Sequence, residues 1–162
     1  MQIGERIPSV TVYRLDDGVK AVDTADFFAG HRQLLFAVPG AFTPTCTSKH
    51  LPSYAAHMAE FERRGIAVAC VAVNDVYVMD AWARSQDVPR NLVMLADGNA
   101  DFVGAMGLAQ DRRAYGMGLR ACRFALLAND GRVELLHVEA PGEYRVSSAE
   151  AMLAAIGESG TG

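Results

Sequence analysis

Cys46 closes the run Val38-Pro39-Gly40-Ala41-Phe42-Thr43-Pro44-Thr45-Cys46, and its neighbours are of the kinds that turn a thiol into a nucleophile. Ahead of the run, Leu34 to Val38 is almost purely apolar, as in a central strand, and Pro39-Gly40 stops it. Beyond it the chain is predicted to turn helical. Thr43 suits an N-cap, and Pro44 suits the first helical position, where a missing N–H loses no hydrogen bond. That register puts Cys46 third in the helix. There its N–H can bond the Thr43 hydroxyl, while its sulfur faces the free amides and positive dipole end of the first turn. Both effects favour the thiolate. An unperturbed thiol near pKa 8.5 is little ionised at neutral pH, whereas helix N-termini and cationic neighbours bring the value to roughly 3.5–7.5. A shift of about two units, roughly 2.7 kcal/mol, makes the thiolate the majority species. The alternative is a small buried hydrophobe near a helix start.

The pattern Pro39-x-x-x-Thr43-x-x-Cys46 resembles the active-site motif of the peroxiredoxins, most of all the subgroup of the plant type II enzymes and mammalian peroxiredoxin five. Further matching segments follow in order: Val73-Asn74-Asp75, Tyr77-Val78-Met79-x-Ala81-Trp82, Ala96-Asp97-Gly98 and Gly118-Leu119-Arg120-x-x-Arg123-Phe124-Ala125-Leu126-Leu127. The resemblance spans nearly the whole chain. It implies a thiol peroxidase whose Cys46 thiolate attacks hydrogen peroxide or an alkyl hydroperoxide and becomes a sulfenic acid. It further implies that Thr43 bonds the thiolate and peroxide oxygens, that Arg123 stabilises charge at the sulfur and leaving oxygen, and that Pro39 shields the pocket. Fixed donors suit this reaction because O–O cleavage develops charge on the departing oxygen. No metal or organic cofactor is implied. A homodimer is, with an exposed Phe42 beside the active-site turn as a contact and Trp82 as a second candidate.

Read without the resemblance, Arg123 entering an apolar strand either needs an anionic partner or extends its head to water. The resemblance favours the first reading and leaves Arg120 as an exposed neighbour. His50, one turn after Cys46 on the same helix face, either supports the site from behind or only packs locally. His31, His57 and His137 lack metal-ligand spacing. Gly116-x-Gly118-x-x-Ala121 precedes a strand, so it is no dinucleotide fingerprint, and Asp97-x-Asn99-x-Asp101 lacks the glycine and glutamate of a calcium loop.

Similarity to the plant enzymes points to Cys70 as the resolving thiol. A helix from Cys46 to Arg64 would carry the chain about 27 Å away. The following strand would return only about 13 Å by Cys70, leaving the pair beyond the roughly 7 Å reach of a disulfide. If Arg123 faces the site, strand alternation turns Cys122 away. Resolution mainly by an external thiol, glutathione or glutaredoxin, is therefore expected. The alternative is a Cys46–Cys70 disulfide, formed after local unwinding and reduced by thioredoxin.

The elements that must position these residues read as strands near 11–13, 34–38, 66–73, 92–96, 122–129 and 132–139, with helices between most of them. A helix from Cys46, kinked at Pro52, should end at Gly65. Asp75 should cap a helix through Trp82, Asn99 one through Met106, and Ser147-x-x-Glu150 a last helix ending near Gly157. Asp130-Gly131 predicts a hairpin. The pattern implies an α/β sheet with an antiparallel edge, compatible with a thioredoxin-like fold: a central mixed sheet flanked by helices, closing in a hairpin plus helix. One domain over 1–162 is expected from a length of 162 residues that are 51% hydrophobic, with a frayed tail over 158–162.

A net charge of −4 with scattered Arg and Lys argues against nucleic acid or anionic membrane as partners. The N-terminus shows no signal pattern and no apolar run approaches a membrane span, so a cytoplasmic location is expected. Three cysteines are odd and sparse, unlike a secreted disulfide framework. A disulfide oxidoreductase would need Cys-x-x-Cys, and Thr43 holds the first of those positions. A non-catalytic holdase or binding protein on the same scaffold is the rival outside catalysis.

Overall fold

The computed structural model describes residues 1–158. In chain order it runs β1 (Thr11–Leu15), β2 (Val19–Asp23), α1 (Thr24–Phe28) and β3 (Arg32–Ala37), then a widened helical turn (Cys46–His50) leading into α2 (Leu51–Ala56) and α3 (Met58–Arg63). There follow β4 (Ile66–Ala72), α4 (Val76–Ser85), β5 (Leu92–Ala96), α5 (Asp101–Ala105), β6 (Ala109–Asp111), β7 (Leu119–Ala121), β8 (Phe124–Asn129), β9 (Arg132–Val138) and α6 (Ala149–Glu158). The end of α6 takes in Glu158, the first residue of the expected frayed tail, and residues 159–162 lie outside the described ones.

Seven strands form one mixed sheet in the order β2-β1-β5-β4-β3-β8-β9, and β6 and β7 form a separate ribbon. The central strands β3, β4 and β5 run parallel, with antiparallel pairs on both sides. Both faces are covered, which explains the continuous apolar runs. Leu34, Phe36, Val68, Cys70, Ala125 and Leu127 point into a core shared with α2, α3, α4 and α6. Leu35, Ala37, Ala69, Val71, Leu126 and Ala128 point into a second core shared with α1 and α5. Burying such a Leu or Phe contributes roughly 1.5–3 kcal/mol, so the strand end from which the Cys46 turn departs is firmly fixed. Cys46 and Cys70 belong to the same core.

Several boundaries differ from expectation for local reasons. The helix after Cys46 contains Pro52, which has no N–H for the carbonyl one α-turn back. The turn before it widens instead, with the Leu51 N–H reaching Cys46 O five residues away, and a second break falls at His57. α4 continues past Trp82 to Ser85. The start of α5 is capped not by Asn99 but by buried Asp97, whose carboxylate accepts the N–H groups of Phe102 and Val103. α6 is capped by Ser148, whose hydroxyl accepts the Ala151 N–H, because the Ser147 hydroxyl is turned to Glu139. The strand expected from Cys122 starts at Phe124, since the chain changes sheets there: the Cys122 N–H bonds Leu108 O, while Arg123 O accepts the Glu139 N–H. The short strands β2, β6 and β7, partly exposed, carry no clear apolar alternation and escape a periodicity reading.

Candidate active site

The chain leaves β3 through a tight turn. The Ala41 N–H is held by Asn74 Oδ1 at 2.9 Å, Phe42 adopts a left-handed φ of 64°, and the Thr43 hydroxyl donates to Gly40 O at 2.6 Å. A Cβ at Gly40 would lie 3.2 Å from Thr43 Cγ2 and 3.4 Å from an Arg120 guanidinium nitrogen, so the turn closes most easily around glycine. Helical backbone begins at Pro44 as expected. Thr43 holds the N-cap position, its carbonyl accepting the Thr47 N–H at 3.0 Å, but its hydroxyl donates to Gly40 O instead of bonding the Cys46 N–H. Arg120 is a further correction. It is half-buried, donating to Met117 O and Val73 O, and so ties the β6–β7 ribbon to the end of β4.

Cys46 is fully buried, and its sulfur accepts a hydrogen bond from Arg123 Nη2 at 3.1 Å. Arg123 Nη1 donates to His50 Nδ1 at 2.8 Å, and His50 Nε2 meets Ser147 O at 3.0 Å. The partners fix the tautomer. A carbonyl only accepts, so Nε2 carries the proton, and a guanidinium only donates, so Nδ1 presents its lone pair. Burial, then the Arg123 charge, push the His50 pKa down to about 3, so the ring is neutral at ordinary pH. It packs between Phe36 and Tyr144, at ring centroid distances of 5.0 and 5.1 Å.

The carbonyl that orients His50 is itself anchored. Tyr54 donates its hydroxyl to Ser147 O at 2.7 Å, and buried Glu139 accepts from the Ser147 N–H and hydroxyl and from the N–H groups of Arg145 and Val146. Burial opposes charge on Glu139, but these hydrogen bonds outweigh it and leave its pKa below the usual carboxylate value. Sequence reasoning missed Tyr54, Glu139, Tyr144 and Ser147. A lone glutamate ending the apolar run of β9 was the one available signal.

A cleft of about 430 Å³ opens beside this assembly, bordered by Pro39, Thr43, Pro44, Arg112, Cys122 and Arg123 among others. Cys122 therefore shares the cleft with Arg123 and is not turned away, because strand alternation does not apply where the chain changes sheets. Burial raises its thiol pKa. Cys70 is fully buried in β4, and burial, reinforced by the Cys46 charge, pushes its thiol well above the ordinary value. All three cysteines are free. Trp82 is fully buried and donates to Thr47 Oγ1, which removes it as a surface contact, whereas Phe42 is 54% exposed. His31, His57 and His137 each meet a backbone carbonyl, and no group of three metal-ligating side chains occurs among the described residues.

Residues 2–153 match the Redoxin family. The chain is 41% identical to the chloroplastic peroxiredoxin-2E of Arabidopsis thaliana over 96% of its own length and 69% of that protein, and 37% identical to peroxiredoxin-2C of the same plant over 95% and 97%. Its backbone superposes on reduced Prx3 of Vibrio vulnificus, solved in complex with hydrogen peroxide, with a TM-score of 0.92 at 41% identity, covering 96% of this chain and 99% of that one. With this fold of mixed sheet and flanking helices, the thioredoxin-like one with which the order of elements is compatible, the chain belongs to the redoxin family as a type II peroxiredoxin, a thiol peroxidase.

Proposed function

We infer that Cys46 is the peroxide-reducing thiol and that Arg123 is the fixed cation that assists it. The supporting observation is the 3.1 Å bond from Arg123 Nη2 to the sulfur, with the other end of the guanidinium locked by neutral His50. A charged donor placed before reaction stabilises the thiolate and then the charge that develops on the departing oxygen. The sulfur attacks the terminal peroxide oxygen, the O–O bond breaks, and the alkoxide or hydroxide takes up a proton to leave as alcohol or water. Cys46 becomes a sulfenic acid, oxidised by two electrons. Thr43 and Pro39 border the cleft through which the peroxide enters. The Thr43 hydroxyl, with its proton on Gly40 O, offers lone pairs to a peroxide O–H. Trapping with a sulfenic-acid reagent after one equivalent of hydrogen peroxide should label Cys46 alone. Label on Cys70 or Cys122 in place of Cys46 would overturn the assignment.

An external thiol, glutathione or glutaredoxin, then attacks the sulfenic acid, forming a mixed disulfide and releasing water, and a second thiol frees Cys46. Internal resolution by Cys70 meets a barrier. Cys70 lies opposite Phe36 of β3 and Met94 of β5, so bringing it out would break two ladders of the central sheet. Turnover of Cys70→Ser with glutathione plus glutaredoxin, and separately with thioredoxin, decides between the two. Loss with every reductant, with a Cys46–Cys70 bond mapped in the oxidised wild type, would overturn the external route. The chain acts as a homodimer in this reading, supported by Phe42 standing exposed beside the active-site turn. Light scattering that finds a monomer at micromolar concentration would reject it.

A further inference from the structure

Of the four arginines between residues 112 and 123, three have clear partners. Arg113 grips Asp111 through Nε and Nη2 at 2.7–3.1 Å. Arg120 donates to two carbonyls, and Arg123 holds His50 and Cys46. Arg112 is different. It borders the cleft beside Cys46, its Nε is buried, and that donor meets no acceptor among the described residues. Its guanidinium lies over the Tyr115 ring, 4.8 Å from the centroid. Its terminal nitrogens, which are not buried, meet no acceptor among the described residues either, so the whole guanidinium lacks a hydrogen-bond partner, and native folds rarely keep a partly withdrawn charge in that state without a use.

Main-chain hydrogen bonds fix the backbone from which this side chain projects. The Arg112 N–H bonds Gly118 O at 2.7 Å, and Arg112 O accepts the N–H groups of Tyr115 and Met117 at 3.0 and 3.1 Å. The two acids that also border the cleft are otherwise engaged: Glu139 is held by the 145–147 backbone and the Ser147 hydroxyl, and Glu143 faces Arg145 at 3.8 Å. A volume of about 430 Å³ far exceeds what the two oxygens of hydrogen peroxide fill and suits a small organic molecule.

We propose that Arg112 forms an anion subsite that takes the carboxylate of a small organic molecule whose other end reacts at Cys46. The proposal rests on the assignment of Cys46 as the reacting thiol. A guanidinium edge matches a carboxylate with two parallel hydrogen bonds, and the edge offered here is that of Nη1 and Nη2, which unlike Nε are not buried. Two kinds of molecule carry this chemistry: a carboxylated hydroperoxide in the oxidising half-reaction, and a carboxylated thiol in the reducing half.

The test compares wild type, Arg112→Gln and Arg113→Gln; the last makes the same charge change at an exposed residue already paired with Asp111. Stopped-flow rates are read for oxidation of Cys46 by hydroperoxyhexanoate and by its methyl ester, and for reduction of the sulfenic acid by mercaptopropionate and by its methyl ester. The acid-to-ester rate ratio should fall about tenfold in Arg112→Gln, equivalent to about 1.4 kcal/mol, and hold in Arg113→Gln. A fall in the first arm assigns the hydroperoxide, and a fall in the second assigns the thiol. Ratios unchanged by Arg112→Gln in both arms overturn the subsite. Oxidation of wild type by hydrogen peroxide tests the Cys46 assignment separately. If that fails, the Arg112 Nε–H resonance still reads the subsite: hexanoate should shift it and methyl hexanoate should not, and equal responses overturn the proposal.

Discussion

Cys46 and Cys70 are both fully buried, both free, and both packed into the same core, yet only one is placed for chemistry. Cys70 sits within a central strand, flanked by backbone ladders and apolar side chains, where burial holds the thiol protonated. Cys46 lies beyond the end of the neighbouring strand, where Arg123 reaches it from the point at which the chain changes sheets. Burial is common to the two. The difference is a cation with no freedom to leave, because a neutral histidine and an anchored carbonyl hold its other end. Desolvation is thus an asset only where a preorganised partner is already present.

The largest effect should come from exchanging the sulfur itself. Cys46→Ser keeps the volume and removes the competent nucleophile, so peroxide consumption should drop to the uncatalysed rate while circular dichroism is unchanged. Retained turnover would transfer the chemistry to Cys70 or Cys122 and dissolve the contrast. Next, Arg123→Ala leaves Cys46 buried without its cation and so resembling Cys70. Removal of one preorganised donor typically costs about 10²–10³ in rate, and stopped-flow oxidation should slow by that order. A wild-type rate would show that position at the strand end suffices.

The key parts of this contrast were legible in the sequence to different depths. Cys46, Thr43 and Pro39 stood in one short run, so local rules placed them together at a strand-to-helix junction. Arg123 came from the resemblance, being 77 residues from Cys46, and no periodicity pairs residues so far apart. The support behind it was legible only in part: helical spacing offered His50 as one of two readings, but its partners lie beyond any local rule, since it meets Arg123 through a widened turn before Pro52 and its other nitrogen finds Ser147 O, fixed through Glu139. Cys122 was misplaced for a related reason. Alternation holds only while a strand lasts, and the chain leaves one sheet for another beside that residue.

His50 gives a smaller effect with a distinctive pH signature. Its pKa lies at about 3 in the folded protein, against 6.5 for an unperturbed histidine. As pH falls, the unfolded chain takes up the proton first. The stability gained by keeping His50 neutral is therefore complete above pH 6.5 and lost progressively down to about pH 3, up to about 5 kcal/mol in all. In His50→Asn the amide oxygen can still accept from Arg123, and Ser147 O keeps its bond from Tyr54. Urea unfolding at neutral pH and again near pH 4 should show a smaller loss of stability on acidification than wild type. Cys46 oxidation should slow by no more than about tenfold. An equal acid loss in both proteins would place the proton elsewhere and separate His50 from the alignment of Arg123.

The smallest effect should be on the other thiol. Cys70→Ala removes one buried sulfur from β4, leaving a small gap beside Phe36 and Met94 that costs about 1 kcal/mol of stability. Because burial keeps that thiol protonated, no charge next to Arg123 is lost with it. Peroxide turnover supported by glutathione and glutaredoxin should stay within about twofold of wild type, and an urea midpoint shift should be the only clear change. Serine at the same position sharpens the point. Its hydroxyl would be buried between two ladders whose backbone groups are already paired, so Cys70→Ser should be less stable than Cys70→Ala while equally active. Should both variants lose turnover while staying folded, Cys70 would have to leave its strand during the catalytic cycle, and the line between a structural and a reactive thiol in this core would be one of timing instead of position.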